Sequence, residues 1–186
     1  RKKRVEDFIR AADMVRRSRP DARFIVVGGP DAFMPEYAAE LKALAQELGL
    51  AESLSFLGDR NDVPRLLSGL DVFVWLSRDE GMPHVISEAG AACLPVVATR
   101  DNGSEQQITH GETGLFVPHE SPTQVAFAIT RLLQDQVLAR RLGQHLRHKV
   151  EREYSAEALV PKWQALFEEV IREAYAERMN ALRVSG

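Results

Sequence analysis

Short β-rich runs and helical patterns alternate along nearly the whole of this 186-residue chain, and that alternation restricts the fold more than any single motif. Arg23 to Val27, Leu54 to Leu57, Asp71 to Leu76, Val96 to Ala98 and Gly114 to Val117 are rich in β-branched, aromatic or large apolar residues. Between them, apolar residues recur three and four apart. Val5, Phe8, Ile9, Ala12 and Val15 form one such pattern, which ends near Pro20. A second opens at Pro35 with Ala38, Leu41, Leu44, Ala45 and Leu48, and Gly49 is its C-cap. Asp62-Val63-Pro64 opens a brief helix that buries Leu66 and Leu67. Strands alternating with helices predict an α/β fold: a Rossmann-like parallel sheet with helices on both faces. Right-handed crossovers bring every strand's carboxyl end, and so Gly28, Gly58, Glu80 and Thr99, to one edge where ligands bind.

After the third run the chain reads Glu80-Gly81-Met82-Pro83-His84-Val85-Ile86-Ser87-Glu88. Glu80 falls on the loop at a strand's carboxyl end, and Glu88 sits about one turn into a helix rich in small residues. Gly81 lets the backbone approach a ligand. Pro83 has a fixed φ suited to a first helical turn. Free N–H groups at such a start form an anion site, most often for phosphate. A carboxylate ahead of that site and another inside the helix suit hydroxyl groups on either side of a phosphate, the layout of sugar, diphosphate and ribose. Against this stands a bland reading, in which two glutamates near a helix start are dipole partners met by chance.

Asn102-Gly103 reads as a turn, with a short helix from Ser104. Everything past Val117 is helical: one helix from Pro122, one holding Val137, Leu138, Leu142 and Leu146, and a long one from Ser155, which caps it. Its stripe from Leu159 to Ile171 carries Trp163, Leu166, Phe167 and Val170.

Composition narrows the function. The chain is long enough for one domain and too short for two full α/β domains. A net charge of −3 supplies no basic field for nucleic acid. The lone Cys93 forms no internal disulfide, which points to a reducing, cytoplasmic setting, and it reads as a core residue. No apolar run reaches the roughly 18 residues that span a bilayer. Gly28-Gly29 has no second Gly-x-x-Gly element and Pro30 follows it, which argues against a nicotinamide or flavin cofactor. There is no P-loop motif and no Zn-type spacing of histidines with Cys93; His145 and His148 read as a solvated helix face. The opening Arg1-Lys2-Lys3-Arg4, without an initiator methionine, predicts a piece of a longer protein.

The Glu80–Ala89 block resembles the donor-binding motif of retaining GT-B glycosyltransferases of family 4. The resemblance extends to Arg23-Phe24-Ile25-Val26-Val27-Gly28-Gly29, Ser55-Phe56-Leu57-Gly58, Leu94-Pro95-Val96-Val97-Ala98-Thr99 and Gly111-Glu112-Thr113-Gly114-Leu115-Phe116-Val117-Pro118, in that order. It covers nearly the whole chain. It implies that residues 1–186 are a single nucleotide-sugar-binding domain, the carboxyl-terminal half of a GT-B fold. Residues 153–186 would then be a terminal helix that packs on an amino-terminal lobe lying outside this chain.

By the same resemblance, Glu80 accepts hydrogen bonds from donor-sugar hydroxyls and Glu88 holds the ribose. Amides around Met82, His84 and Val85 meet the sugar and distal phosphate, and Gly81 belongs to the same donor-binding set. Gly58 and the two residues after it lie against the base, and Gly28 belongs to the same donor-binding set. Lys3 is the candidate diphosphate lysine, the alternative being a frayed basic end; Glu80 and Lys3 are the candidate catalytic groups. The family's diphosphate arginine falls upstream of this chain. His84 either reads donor identity or points to solvent. Asn102-Gly103-Ser104-Glu105-Gln106 departs from the family's Gly-Gly-x-x-Glu, so no role is carried onto Glu105 or Gln106.

The implied reaction is metal-independent transfer of a hexose, with retention, from a UDP- or GDP-linked donor to a hydroxyl acceptor. No separate cofactor is involved, and this chain alone is expected to bind donor with little or no activity. Implied partners are the nucleotide sugar and the missing lobe, with no nucleic acid. Peripheral membrane association of the full-length protein and self-association through the terminal helix stay open. Two alternatives also stand: a non-catalytic nucleotide-binding module that pairs with a separate acceptor lobe, and a nucleotide-sugar epimerase of the same fold.

Overall fold

The computed structural model describes residues 2–29 and 35–184. Pro30, read above as interrupting the loop after the first strand, lies outside the described residues, as do Arg1, Ser185 and Gly186. The chain forms α1 (Val5–Ser18), β1 (Phe24–Val26), α2 (Pro35–Glu47), β2 (Leu54–Phe56), α3 (Val63–Leu67), β3 (Phe73–Trp75) and α4 (His84–Ala91). It continues through β4 (Val96–Thr99), α5 (Asn102–Gln107), β5 (Leu115–Val117), α6 (Pro122–Gln134), α7 (Gln136–Glu153) and α8 (Ala156–Val184).

Local chemistry fixes these boundaries. α1 starts with Glu6 and Asp7 and ends with Arg16 and Arg17, each matched to the helix dipole. α2 closes on Gly49 at φ 68°, with Leu50 N–H donating to Ala45 O and Gly49 N–H to Gln46 O, a Schellman closure. α4 closes the same way on Cys93 at φ 59°, with Leu94 N–H on Ala89 O and Cys93 N–H on Gly90 O. Cys93 is therefore a half-buried helix stop beside Arg147 rather than the core residue its surroundings in the sequence suggest.

All strand pairs are parallel. The sheet is not continuous, however: β1-β2 form one sheet and β3-β4-β5 another. A single core nevertheless underlies both. Phe24 and Leu54 from the first sheet join Leu76, Val97, Leu115 and Val117 from the second, with Ile9, Ala12 and Val15 of α1 and Val125, Ile129 and Leu132 of α6. On the opposite face of β3-β4-β5, Val96 and Ala98 pack with Ile86 and Ala89 of α4 and Leu146 and Val150 of α7. β4 is thus buried on both faces, as a central parallel strand should be.

The small residues of α4 are explained by how closely α7 approaches. A Cβ on Gly90 would lie 2.8 Å from Leu146 and Val150, and one on Gly143 of α7 only 2.0 Å from Cys93 O. α8 differs from every other helix: Trp163, Leu166, Phe167, Val170 and Ile171 are all exposed. Among the described residues, no helix is long and apolar enough to cross a membrane.

Candidate functional site

The carboxyl ends of β3, β4 and β5 converge around Glu80. Ser77, fully buried just past β3, donates its hydroxyl to Glu80 Oε1 at 2.7 Å. Ser77 O accepts from Thr99 Oγ1 (2.7 Å) at the end of β4, and Thr99 O accepts from Ser104 Oγ (2.8 Å) in α5. The Glu80 carboxylate is thereby tied through two buried hydroxyls to α5. Asp79 at φ 54° makes the bend that turns Glu80 back over the strand end.

Lys3 Nζ donates to Glu80 Oε1 at 2.6 Å, and Lys2 Nζ lies 3.6 Å from the same oxygen. Burial alone would raise the Glu80 pKa, but the hydrogen bonds from Lys3 and Ser77 and the charges of both lysines outweigh it and hold the carboxyl below its usual range. Glu80 is therefore ionised at neutral pH, able only to accept hydrogen bonds. Lys3 also lies 4.3 Å above the Trp75 ring, so it is held at the site rather than fraying.

The loop from Glu80 into α4 is clamped by α5. A Cβ on Gly103 would sit 2.5 Å from Glu80 O and 2.8 Å from Gly81 O, so only glycine permits this approach. Gln107, fully buried, donates its amide to Pro83 O at 3.1 Å and accepts from Ser87 Oγ at 2.6 Å. Asn102 and Gly103 are the first turn of α5, capped by Asp101 and Ser104, where the sequence suggested a free turn and a later start. Nothing local marks Gly103 and Gln107 as site-building residues; their role exists only once α5 packs on α4.

Pro83 is the N-cap of α4, one residue before the helix. His84 and Val85 open it, and their N–H groups have no acceptor among the described residues. A Cβ on Gly81 would meet nothing within 4 Å, so the loop faces open space there. Met82 is half-buried. His84 and Glu88 are exposed one turn apart on one face, and the Glu88 carboxylate has no hydrogen bond or ion pair among the described residues. On the other sheet, Gly28 N–H donates to Gly58 O at 2.9 Å, and Gly29 N–H to Asp59 Oδ1 at 2.6 Å.

A cavity of about 690 Å³ opens beside Glu80 and Gly81, walled also by Arg78, Asp79, Arg100, Asp101, Asn102 and His119. Glu88, His84 and Val85 do not line it. Arg78 Nε, Asp101 Oδ2 and His119 Nδ1 are shielded from solvent without a partner among the described residues. Arg78 lies three residues past β3 and Arg100 directly follows β4, so the carboxyl-end rule could have flagged them from sequence. His119 depends on tertiary packing, through its Nε2 bond to Arg100 O at 3.0 Å.

A parallel α/β unit with a carboxylate loop and an open helix start at its carboxyl edge has the layout of a Rossmann-like domain. The chain belongs to the glycosyl transferases group 1 family, whose model matches residues 1–149. It is 31% identical over 172 residues to the N-acetyl-alpha-D-glucosaminyl L-malate synthase of Bacillus anthracis, covering 92% of this chain and 43% of that protein. The chain thus spans less than half of that relative's length. Among solved structures it is similar to the C-terminal domain of a glycosyl transferase group 1 family protein (LpcC) from Francisella tularensis, with a TM-score of 0.77 and 27% identity. That match covers 83% of this chain and 81% of the other. Anabaena Alr3699/HepE, solved in complex with UDP, has the same fold at a TM-score of 0.86 and 22% identity, over 90% of this chain and 46% of that one.

Proposed function

We propose that this chain is the donor-binding domain of a retaining family 4 glycosyltransferase, which holds a nucleotide diphosphate sugar and moves its hexose to a hydroxyl acceptor. The observation that carries the reading is an ionised Glu80, fixed by Ser77 and Lys3, immediately ahead of the open start of α4. Family membership supports it.

In this reading Glu80 accepts hydrogen bonds from the donor sugar, and the distal phosphate meets the N–H groups of His84 and Val85. Glu88, one turn on, takes the ribose hydroxyls as a bidentate acceptor. Lys3 releases Glu80 to the sugar and turns to the diphosphate, where with the helix N–H groups it stabilises the charge that develops as the glycosidic bond breaks. Pro83 has no N–H to contribute. Gly28 and Gly58 leave backbone surface for the base. The acceptor lobe lies outside this chain, so the domain alone binds donor without appreciable turnover.

Calorimetric titration with UDP, GDP and ADP and their sugars tests this. Glu88→Ala should weaken nucleotide and nucleotide sugar alike by about 1–3 kcal/mol, the worth of a charged hydrogen bond. Glu80→Gln should weaken the nucleotide sugar and leave the bare nucleotide nearly unchanged. Binding of none of these ligands by the unmodified chain would sink the proposal.

A further inference from the structure

The turn after β2 carries a carboxylate seated on backbone, with most of its hydrogen-bonding capacity unspent. Gly28 at φ 129° and Gly58 at φ 64° let the turns after β1 and β2 meet, with Gly28 N–H donating to Gly58 O. Asp59 folds back over the first of these turns, and its Oδ1 accepts from Gly29 N–H at 2.6 Å. A Cβ at position 29 would lie 2.3 Å from Asp59 Oδ2 and 2.8 Å from its Cγ, so only glycine leaves the carboxylate this seat. An ionised carboxylate accepts about four hydrogen bonds. Asp59 is exposed and has no other hydrogen bond and no ion pair among the described residues. The neighbouring cation is already taken: Arg60 Nε and Nη2 each donate to Asp62 at 2.8 Å.

That turn lies beside α4. It leads into α3, where Val63 and Leu67 pack in the same cluster as Ile86 and Ala89 of α4. Glu88 falls between those two α4 residues in sequence, on the exposed face. A nucleotide with its phosphates at His84 and Val85 and its ribose at Glu88, as proposed above, therefore extends its base toward Gly58 and Asp59. The bases differ in what they offer there. Guanine presents N1–H and its N2 amino group side by side, two donors for the two oxygens of one carboxylate. Uracil offers N3–H alone, set between two carbonyl oxygens that a carboxylate repels. Adenine's single amino group stands next to an unprotonated ring nitrogen, which is again an acceptor.

We infer that Asp59, seated by Gly29, selects a guanine-linked donor over a uracil-linked one. Selectivity comes from two sides: paired charge-assisted hydrogen bonds to guanine, and repulsion of the uracil carbonyls by the same carboxylate. Gly29 is a positioning residue, since its bare Cα and its N–H fix where the Asp59 carboxylate stands. This selection rests on the donor-binding reading above and narrows the donor to a guanosine diphosphate sugar.

Calorimetric titration of the chain with GDP, UDP and inosine diphosphate, whose base lacks the N2 amino group, tests this. GDP should bind about tenfold tighter than UDP or better, with inosine diphosphate between them. Asp59→Asn changes an exposed side chain and should unfold at the same urea concentration as the parent. It should weaken GDP by about tenfold, leave UDP unchanged or tighter, and bring the two within about threefold of each other. Gly29→Ala, whose methyl displaces the carboxylate, should shrink the GDP-to-UDP ratio in the same direction. Binding of no nucleotide would sink the donor-binding reading and this selection with it. Nucleotide binding with UDP equal or preferred, inosine diphosphate as tight as GDP, or a ratio that Asp59→Asn leaves intact would overturn the guanine selection alone.

Discussion

The packing around β3, β4 and β5 and the terminal helix α8 draw on similarly apolar sequence and use it in opposite ways. In the first region, α4 and α7 approach until only glycine fits at positions 90 and 143, and Leu142 and Leu146 are fully buried. In the second, Trp163 is 54% exposed and Phe167 59%, with apolar residues at helical spacing along the same helix. The difference teaches that an apolar stripe specifies a contact, not a location. α4 and α7 satisfy each other within this chain. α8 presents a face that, in the reading proposed here, packs on a further lobe or on a second copy.

The sharpest way to break this contrast is to truncate one residue from each side. Leu142→Ala should cost about 3–5 kcal/mol in urea unfolding, since it opens a fully enclosed cavity. Leu166→Ala in α8 should stay within about 0.5 kcal/mol, as surface changes do. Equal losses would mean that α8 is structural after all. Gly143→Ala is next, at about 2–3 kcal/mol, because its methyl must displace the Cys93 carbonyl. A neutral result would show that α4 and α7 are looser than described.

A smaller effect concerns charge. Two hydrogen bonds from Arg17 to Asp13, against the opposing effect of burial and with further help from Arg16, hold the Asp13 carboxyl below its usual range. A lowered folded-state pKa contributes stability that is present above the unfolded value, about 4. That contribution is lost as pH falls through the lowered folded value. Asp13→Asn should therefore cost about 1 kcal/mol at pH 7, since Arg17 is largely exposed. The variant and the parent should converge in strong acid. The smallest expected change is in association: Trp163→Asp should leave the unfolding midpoint nearly unchanged while reducing any dimer seen by sedimentation.

Much of the fold was legible in the sequence because its signals are local. The alternation of runs, Gly49 as a helix stop, and Ser155, whose hydroxyl accepts from Ala158 N–H at the start of α8, all follow from neighbouring residues. The position of Glu80 at a strand's carboxyl end was readable for the same reason. What escaped depends on contacts between distant segments. The hydroxyl relay from Ser104 through Thr99 and Ser77 to Glu80 spans 27 positions, and the clamp of Gly103 and Gln107 on the α4 start appears only when α5 is in place. The break between β1 and β3 was invisible because each strand reads as normal by itself. Cys93 was misjudged because small apolar neighbours say nothing about the left-handed backbone required at a helix stop.

The central claim, that the edge from Glu80 into α4 receives a nucleotide sugar, is tested most directly by amide shift mapping of the labelled chain titrated with UDP-glucose and GDP-mannose. The account predicts saturable shifts from at least one of them, centred on Gly81, His84, Val85 and Glu88 and reaching Gly28 and Gly58. Saturable shifts confined to another surface, or none with either ligand, would contradict it.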